Sequence, residues 1–313
     1  MTSRRNFLES IPAILVAGAL PLSASSDFTK LEVEPRKQTN FKYCLNTSTI
    51  SGQSLGLIGD IEIAAKAGYN GIELWLADIR KFINNGGSTA DLKSKLKDLG
   101  LTFENAIAFS KWVVDDPDQR NMALREFHKD MVLLAELDCK RIAAPPMGAT
   151  KGETIDLFRV AERYRAILEI GSEYGVIPAL ELWGHSVNLH SLGQAMFAAI
   201  ESKHLDATVI PDIYHLYKGG SDFSGLKLLS KQAISIFHMN DYPQTIKRNE
   251  LVDADRVFPG DGVAPFPIIV NELKRINPEM VLSLELFNPE YWKMDALEVA
   301  KTGLEKMKKV TSI

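Results

Sequence analysis

Four strand-like segments in the second half of the chain end in residues that can bind a metal ion or move a proton. They read "LELWGH", "VIPDIYH", "IFHMND" and "LSLELFNP", and the residues concerned are Glu181, Asp212, His238 and Glu285. Each follows an apolar run, although ionised carboxylates are rarely buried without a partner. Three carboxylates alone would repel one another and raise one another's pKa. A divalent cation removes that cost, so the pattern predicts a metal centre if these strand ends converge.

The type of ligand indicates which ion to expect. Three carboxylates and one imidazole suit Mn²⁺, Mg²⁺, Co²⁺ or Zn²⁺, and the imidazole argues against Ca²⁺. We therefore expect one divalent metal ion as cofactor, with Mn²⁺ as the first choice.

Eight repeated units position these strand ends. Short β-rich runs alternate with segments of helical period, and the runs lie at 41–46, 71–76, 101–107, 139–145, 176–182, 207–212, 234–240 and 280–286. The 270 residues from 41 to 310, divided by eight, give about 34 per unit, as in a closed parallel barrel. A doubly wound open sheet would carry a glycine-rich loop after its first strand, and "LNTSTISGQSLG" is not one. We predict an α/β fold, a single-domain (β/α)₈ TIM barrel over residues 41–313.

The first 25 residues have the pattern of a signal peptide. "MTSRRNFLES" places Arg4 and Arg5 ahead of an apolar stretch at 11–22, and "SASS" follows it. "SRRNFL" resembles the twin-arginine export signal, although Glu9 stands where that signal usually has Lys. A general secretory signal or an uncleaved anchor is the alternative. The prediction is an exported, periplasmic protein that uses the twin-arginine export machinery, with residues 26–40 as a connector.

Composition excludes several classes of partner. The chain has 313 residues, a formal net charge of −4 and no long basic run, so nucleic acid is not an expected partner. The apolar segment near the N-terminus is short for a bilayer span, and we expect no stable membrane insertion. The two cysteines, Cys44 and Cys139, are far apart in sequence and are interpreted as core residues. The sequence leaves open whether the protein forms a homo-oligomer.

After residue 40 the sequence resembles the xylose isomerase-like TIM barrels. It is most similar to the sugar phosphate isomerase/epimerase group, which includes ketose 3-epimerases and inosose isomerases and dehydratases. The resemblance rests on Asp212 and His215 as "DxxH", "HxND" at 238–241 and "DRVFPGDG" at 255–262, in that order. It implies that the four strand-end residues hold the metal, and that two of them, Glu181 and Glu285, also transfer the proton.

The resemblance also implies the reaction. A carboxylate would remove a proton next to a carbonyl, giving an enediolate, and the same or a second carboxylate would return it. Epimerisation and aldose–ketose isomerisation both remain open. The expected substrate is an unphosphorylated ketose, a cyclitol or a related keto compound. One alternative is a lyase or dehydratase acting on a keto-cyclitol or 3-keto-glycoside, and a second is a non-catalytic periplasmic sugar-binding barrel.

Two substrate contacts follow from the resemblance. His215 would contact a substrate hydroxyl, with structural support of the site as the alternative. Arg256 would bind the substrate, with a loop ion pair to Asp253 or Asp255 as the alternative.

Three further residues are weaker candidates for binding the substrate. His185 follows Glu181 closely enough to reach the rim of the barrel, and Lys218 lies in "YKGG". Trp112 follows the third strand and could stack on a sugar face. Trp75, at the end of the second strand, could do the same or belong to the barrel core.

Overall fold

The computed structural model describes residues 40–234 and 236–313. The predicted signal peptide at 1–25 and all but the last residue of the connector at 26–40 lie outside these residues. The described part contains eight strands: β1 Lys42–Asn46, β2 Gly71–Trp75, β3 Thr102–Ile107, β4 Arg141–Ala144, β5 Ile177–Glu181, β6 Val209–Ile210, β7 Ile236–Met239 and β8 Val281–Leu284. They form one sheet in the order β6-β5-β4-β3-β2-β1-β8-β7.

Every ladder in this sheet is parallel. The two end strands meet through the isolated parallel bridges Val209–Ile234 and Asp212–His238. The backbone N–H of His238 donates to the carbonyl of Pro211 at 2.9 Å. The sheet is therefore a nearly closed barrel in one domain, which confirms the predicted TIM barrel fold.

Nine α-helices occur among the described residues and connect the strands. They are α1 Gly56–Ala67, α2 Leu76–Asn84, α3 Thr89–Asp98, α4 Pro117–Glu136, α5 Leu157–Tyr174, α6 Leu192–Glu201, α7 Ile213–Lys218, α8 Phe266–Ile276 and α9 Ala296–Thr311. Local signals set their ends. The side chain of Asp116 accepts the N–H groups of Asp118 and Gln119 at the start of α4, and α1 ends at Gly68 with φ of 93°. No helix in this part of the chain is long and apolar enough to cross a membrane.

Strand β6 is shorter than predicted, with two residues instead of six. Pro211 has no N–H to continue the ladder, and Asp212 already caps α7 by accepting the N–H of His215. The sixth strand therefore turns into a helix as soon as it has delivered Asp212.

The side chains that point into the barrel form an apolar layer and, next to it, a layer of polar residues at the carboxyl ends of the strands. A small apolar cluster includes Ala179, Ile210 and Ile236. Residues two positions apart in a strand point to the same face, so Glu181 and His238 stand one step beyond this cluster, at the carboxyl ends of their strands. Both cysteines are buried and unpaired, as predicted for core residues.

Candidate metal centre and active site

Three of the predicted ligands converge at the carboxyl end of the barrel. Glu181, His238 and Glu285 each offer one ligand atom, and these atoms lie within 4.8 Å of one another. Nδ1 of His238 is 3.1 Å from Oε2 of Glu285 and 3.8 Å from Oε1 of Glu181. This nitrogen is buried and has no hydrogen-bond partner among the described residues. A nitrogen lone pair facing carboxylate oxygens is repulsive unless a proton or a cation lies between them, so this group fits a divalent ion.

Glu73, which the sequence did not single out, orients this histidine. It lies in the middle of β2, is fully buried, and its Oε2 is 3.2 Å from Nε2 of His238. Asn105 of β3 donates Nδ2–H to the same oxygen at 2.7 Å. An ionised carboxylate can only accept, so Nε2 of His238 carries the hydrogen, and in the neutral ring Nδ1 keeps its lone pair toward Glu181 and Glu285. A charged residue inside the apolar run "GIELWL" was the available sequence signal.

Asp212 lies at the edge of this group. Oδ1 accepts the N–H of His215 at 2.7 Å, and Oδ2 accepts from Asn240 at 2.6 Å and Arg256 at 3.0 Å. The same Oδ2 is 3.9 Å from Nδ1 of His238. Asp212 is therefore close to the predicted metal position but occupied by hydrogen bonds, and its role as the fourth ligand stays a prediction.

The buried guanidinium of Arg256 is the main positive charge facing these carboxylates. Nη1 donates to Oδ2 of Asp212 and, at 2.8 Å, to Oε2 of Glu285, and Nη2 donates to Oδ1 of Asp253 at 2.5 Å. Nη2 is also 3.1 Å from Nε2 of His215. Arg256 therefore forms the ion pair with Asp253 and also reaches the centre of the site, and its contact with a substrate stays a prediction.

Two aromatic rings and one carboxylate hold Arg256 and its loop in place. The guanidinium lies 4.5 Å from the ring centroid of Tyr214 and 5.1 Å from that of Phe287. The carboxylate of Asp241 accepts backbone N–H groups from Gly260, Gly262 and other residues of the same loop. The glycine-rich end of the loop is therefore bound internally by a carboxylate.

The pKa values of Glu181 and Glu285 are shifted in opposite directions. Burial, and then the charge of Glu285, raise the pKa of Glu181 to about 8. Burial also acts to raise the pKa of Glu285, but His238 and Arg256 outweigh it and hold that pKa at about 2. Without a bound cation, the carboxyl group of Glu181 therefore holds a proton at neutral pH while that of Glu285 is ionised.

The same surroundings also shift the pKa values of Asp212, His215 and His238. Burial raises the pKa of Asp212 to about 6. The charge of Arg256 lowers this pKa and that of Glu285 raises it. Burial and the positive charge of Arg256 hold the pKa of His215 well below its usual range, so its ring is neutral. Burial opposes protonation of His238, but Glu285 and Glu73 raise its pKa well above the ordinary value.

A cavity of about 290 Å³ opens over these groups and is called here the substrate cavity. Its rim carries four aromatic side chains, Trp75, Phe109, Trp183 and Phe287. The rings of Trp75 and Phe109 are 5.2 Å apart, and those of Phe109 and Trp183 are 6.0 Å apart. An aromatic collar of this kind can pack on the C–H face of a sugar ring.

Sequence and structure comparisons agree with this architecture. A family model described as "Xylose isomerase-like TIM barrel" matches residues 61–310. The chain belongs to this family. It is 30% identical over 281 residues to an inosose isomerase of Bacillus velezensis, covering 87% of this chain and 97% of that relative. It is 28% identical to an inosose isomerase of Bacillus subtilis, with 84% and 95% covered.

A solved structure described as IOLI protein with a bound zinc atom is also similar to this barrel. The TM-score is 0.81 at 27% identity, with 87% of this chain and 98% of that chain covered. These relatives confirm the predicted family and the predicted class of enzyme, an isomerase or epimerase. A bound zinc in a similar barrel, together with the convergent ligands here, supports a divalent metal as cofactor.

Within this xylose isomerase-like barrel, two of the five predicted substrate contacts do not line the substrate cavity. Trp112 is 0% exposed, donates Nε1–H to the carbonyl of Pro145 at 2.9 Å and packs on Tyr164. It is a core residue, and the prediction that it stacks on a sugar is corrected. The ammonium group of Lys218 donates to the carbonyl of Asn249 at 2.8 Å instead of entering the cavity.

The other three predicted contacts do line the substrate cavity, namely His185, His215 and Arg256. Trp75 takes the place predicted for Trp112, and Trp183 was missed altogether. The sequence shows which strands end in tryptophan, but the direction of each ring depends on how the following loop packs.

Proposed function

We propose that this protein is a divalent-metal-dependent isomerase or epimerase that moves a proton next to the carbonyl of an unphosphorylated sugar or cyclitol. The observation that carries the proposal is the convergence of Glu181, His238 and Glu285, with Nδ1 of His238 buried and unpartnered. The similar inosose isomerases and the zinc-bound IOLI protein support the same class of reaction.

Glu181, His238 and Glu285 would hold the ion, with Asp212 as the proposed fourth ligand. When bound, the ion would polarise the substrate's carbonyl group and make the neighbouring C–H more acidic. Glu73 and Asn105 keep His238 in the tautomer that can bind it.

The chain's own carboxyl groups would carry the proton. Glu285 is ionised and can accept it from the substrate carbon, and the same carboxyl group or that of Glu181 can return a proton to carbon. Arg256 lies against Glu285 and keeps that carboxylate ionised until the transfer. The aromatic collar would orient the substrate ring and exclude water from it.

The charges in the substrate cavity favour a substrate without phosphate. Among the described residues that line it, Arg256 is the only arginine or lysine, and it is already paired with Asp212, Asp253 and Glu285. The backbone N–H groups of the glycine-rich loop are bound to Asp241. Little positive charge is left to neutralise a phosphate group.

A product screen tests the proposal. Metal-free protein is loaded separately with Mn²⁺, Zn²⁺, Co²⁺ or Mg²⁺ and incubated with inososes, ketoses and 3-keto-glycosides, and products are followed by NMR. We expect metal-dependent conversion of at least one compound to an isomer of the same formula. A product that has lost water or an aglycone would assign a lyase instead, and no conversion by metal-loaded protein would contradict the proposal.

Export by the twin-arginine route is a separate part of the proposal and concerns residues 1–25. It rests on Arg4, Arg5 and the apolar stretch at 11–22. Cell fractionation of the wild type and of an Arg4→Lys, Arg5→Lys double variant tests it. We expect the variant to stay in the cytoplasm, and equal distribution of the two proteins would contradict export by this route.

A further inference from the structure

A second cavity of about 410 Å³, called here the side cavity, lies beside the substrate cavity. Three residues line both cavities: Trp75 and Ile107 at the ends of their strands, and Phe109 in the loop that follows β3. The two cavities therefore adjoin at these three side chains, and a molecule that passes over them would have its two ends in different cavities. The side cavity is also the larger of the two.

The walls of the side cavity differ in chemistry from those of the substrate cavity. They carry apolar residues of α2, of the loop after β3 and of α4, including Leu76, Ala108, Met122 and Ala123. Met122 is 61% exposed and Phe109 is 40% exposed, which is unusual for two large apolar side chains lying together. Methionine adapts well to apolar ligands of varied shape.

Three of the four charged residues that line the side cavity form ion pairs, and Lys111 forms none among the described residues. Arg80 and Asp130 both line the side cavity and form an ion pair with each other. Glu126, another lining residue, pairs with Lys129. Ser110 also lines the cavity, and its hydroxyl oxygen is buried with no hydrogen-bond partner among the described residues.

A polyhydroxylated ring that lies at the metal centre would leave the side cavity unfilled. Its hydroxyl groups find partners around the metal centre, whereas apolar walls offer them none, and unpaired polar groups are costly to bury. We propose that the substrate is a keto-sugar or keto-cyclitol that bears an apolar ring substituent, such as an aryl aglycone, and that this substituent occupies the side cavity. The inference rests on the proposed function, because the polar ring must lie at the metal centre.

The test compares two ligands that differ only in this substituent. Methyl glucoside and 4-nitrophenyl glucoside, neither of which has a carbonyl group in its ring, are titrated into metal-loaded wild-type protein by calorimetry. Burying the aryl group in the side cavity should tighten binding at least about tenfold. Equal affinities would overturn the inference.

Matched variants localise the effect. Ala123→Phe fills the side cavity from α4 and should abolish the preference for the aryl ligand without changing the affinity for methyl glucoside. Ala166→Phe, at an equally half-buried position on α5 outside the cavity, should leave the preference intact. Retention of the preference in Ala123→Phe would place the aryl group elsewhere and overturn the inference.

A second copy of the chain is the competing occupant of this surface. Light scattering on the same samples shows whether Ala123→Phe turns a dimer into a monomer while ligand preference is unchanged, which would assign the surface to self-association.

Failure of this inference is distinguishable from failure of the proposed function. A protein that isomerises an unsubstituted ketose but lacks the aryl preference loses only this inference, and one that has the preference but isomerises nothing loses the proposed function.

Discussion

The carboxylate of Glu73 on β2 accepts the Nε2 proton of His238 on β7, across the inside of the barrel, with Nε2 and Oε2 3.2 Å apart. When the ring is neutral, this hydrogen bond leaves the lone pair of Nδ1 facing the proposed metal position. Glu73 would therefore orient His238, a proposed metal ligand, without binding the metal itself.

Glu73→Gln should weaken binding of Mn²⁺ or Zn²⁺ by about 10–100-fold, because the amide can present its N–H to His238 and reverse the tautomer. Titration calorimetry on metal-free protein measures this without any substrate. Glu104→Gln is the matched control, since Glu104 is a buried strand glutamate that binds Arg141 and not His238. An unchanged affinity in Glu73→Gln would show that the tautomer is set by something else.

Removal of Arg256 should destabilise the metal-free protein by about 3–5 kcal/mol, because Asp212 and Glu285 would be left as buried charges without their partner. The variant is Arg256→Met, measured by chemical denaturation, and added metal should restore part of the loss. Arg165→Met removes an exposed ion pair with Glu169 and should cost less than about 1 kcal/mol. Equal effects of the two variants would argue against this picture.

Two tryptophans should respond in opposite ways. Trp112→Phe removes a buried hydrogen bond and ring volume, so it should cost about 1–3 kcal/mol of stability and leave KM unchanged. Trp183→Ala opens the rim of the substrate cavity and should raise KM severalfold with little loss of stability. A raised KM in Trp112→Phe would restore the substrate role that its burial argues against.

The sequence was sufficient to locate one side of the candidate site. Glu181, Asp212, His238 and Glu285 could be predicted because each ends an apolar strand and a parallel barrel brings strand ends together. The orientation of each side chain could not be predicted. Asp212, for example, accepts hydrogen bonds from Arg256 and from the backbone N–H of His215 at the start of α7.

Glu73 and Asn105 could not be predicted as part of the same site. Their strands lie far from β7 in sequence, and only closure of the barrel brings them to His238. Trp112 was misplaced because nothing local in the sequence shows whether a loop turns its indole inward or toward the rim.

The pH dependence of stability should reveal a buried carboxyl group with a raised pKa away from the candidate site. Burial, and then Asp78, raise the pKa of Asp60 in α1 to about 7. The unfolded chain has an ordinary pKa of about 3.9, so the folded state binds this proton more tightly and loses stability as pH rises from about 4 through 7.

Asp60→Asn removes this charge, and its stability advantage over the wild type should grow by about 2 kcal/mol between about pH 5 and about pH 8. Urea denaturation at the two pH values measures the difference. Asp98→Asn, at an exposed position on α3, is the control and should show no such trend. An advantage that is the same at both pH values would mean that Asp60 is ionised in the folded protein with no penalty.

Proton exchange with solvent tests the central claim most directly. Metal-loaded protein is incubated in D₂O with the inosose or ketose that it binds, and deuterium in the substrate is located by NMR. The account predicts metal-dependent deuterium incorporation at a carbon next to the carbonyl, and a loss of at least about 100-fold in Glu285→Gln with the fold intact. No exchange by metal-saturated wild-type protein, or exchange that Glu285→Gln leaves unchanged, would contradict it.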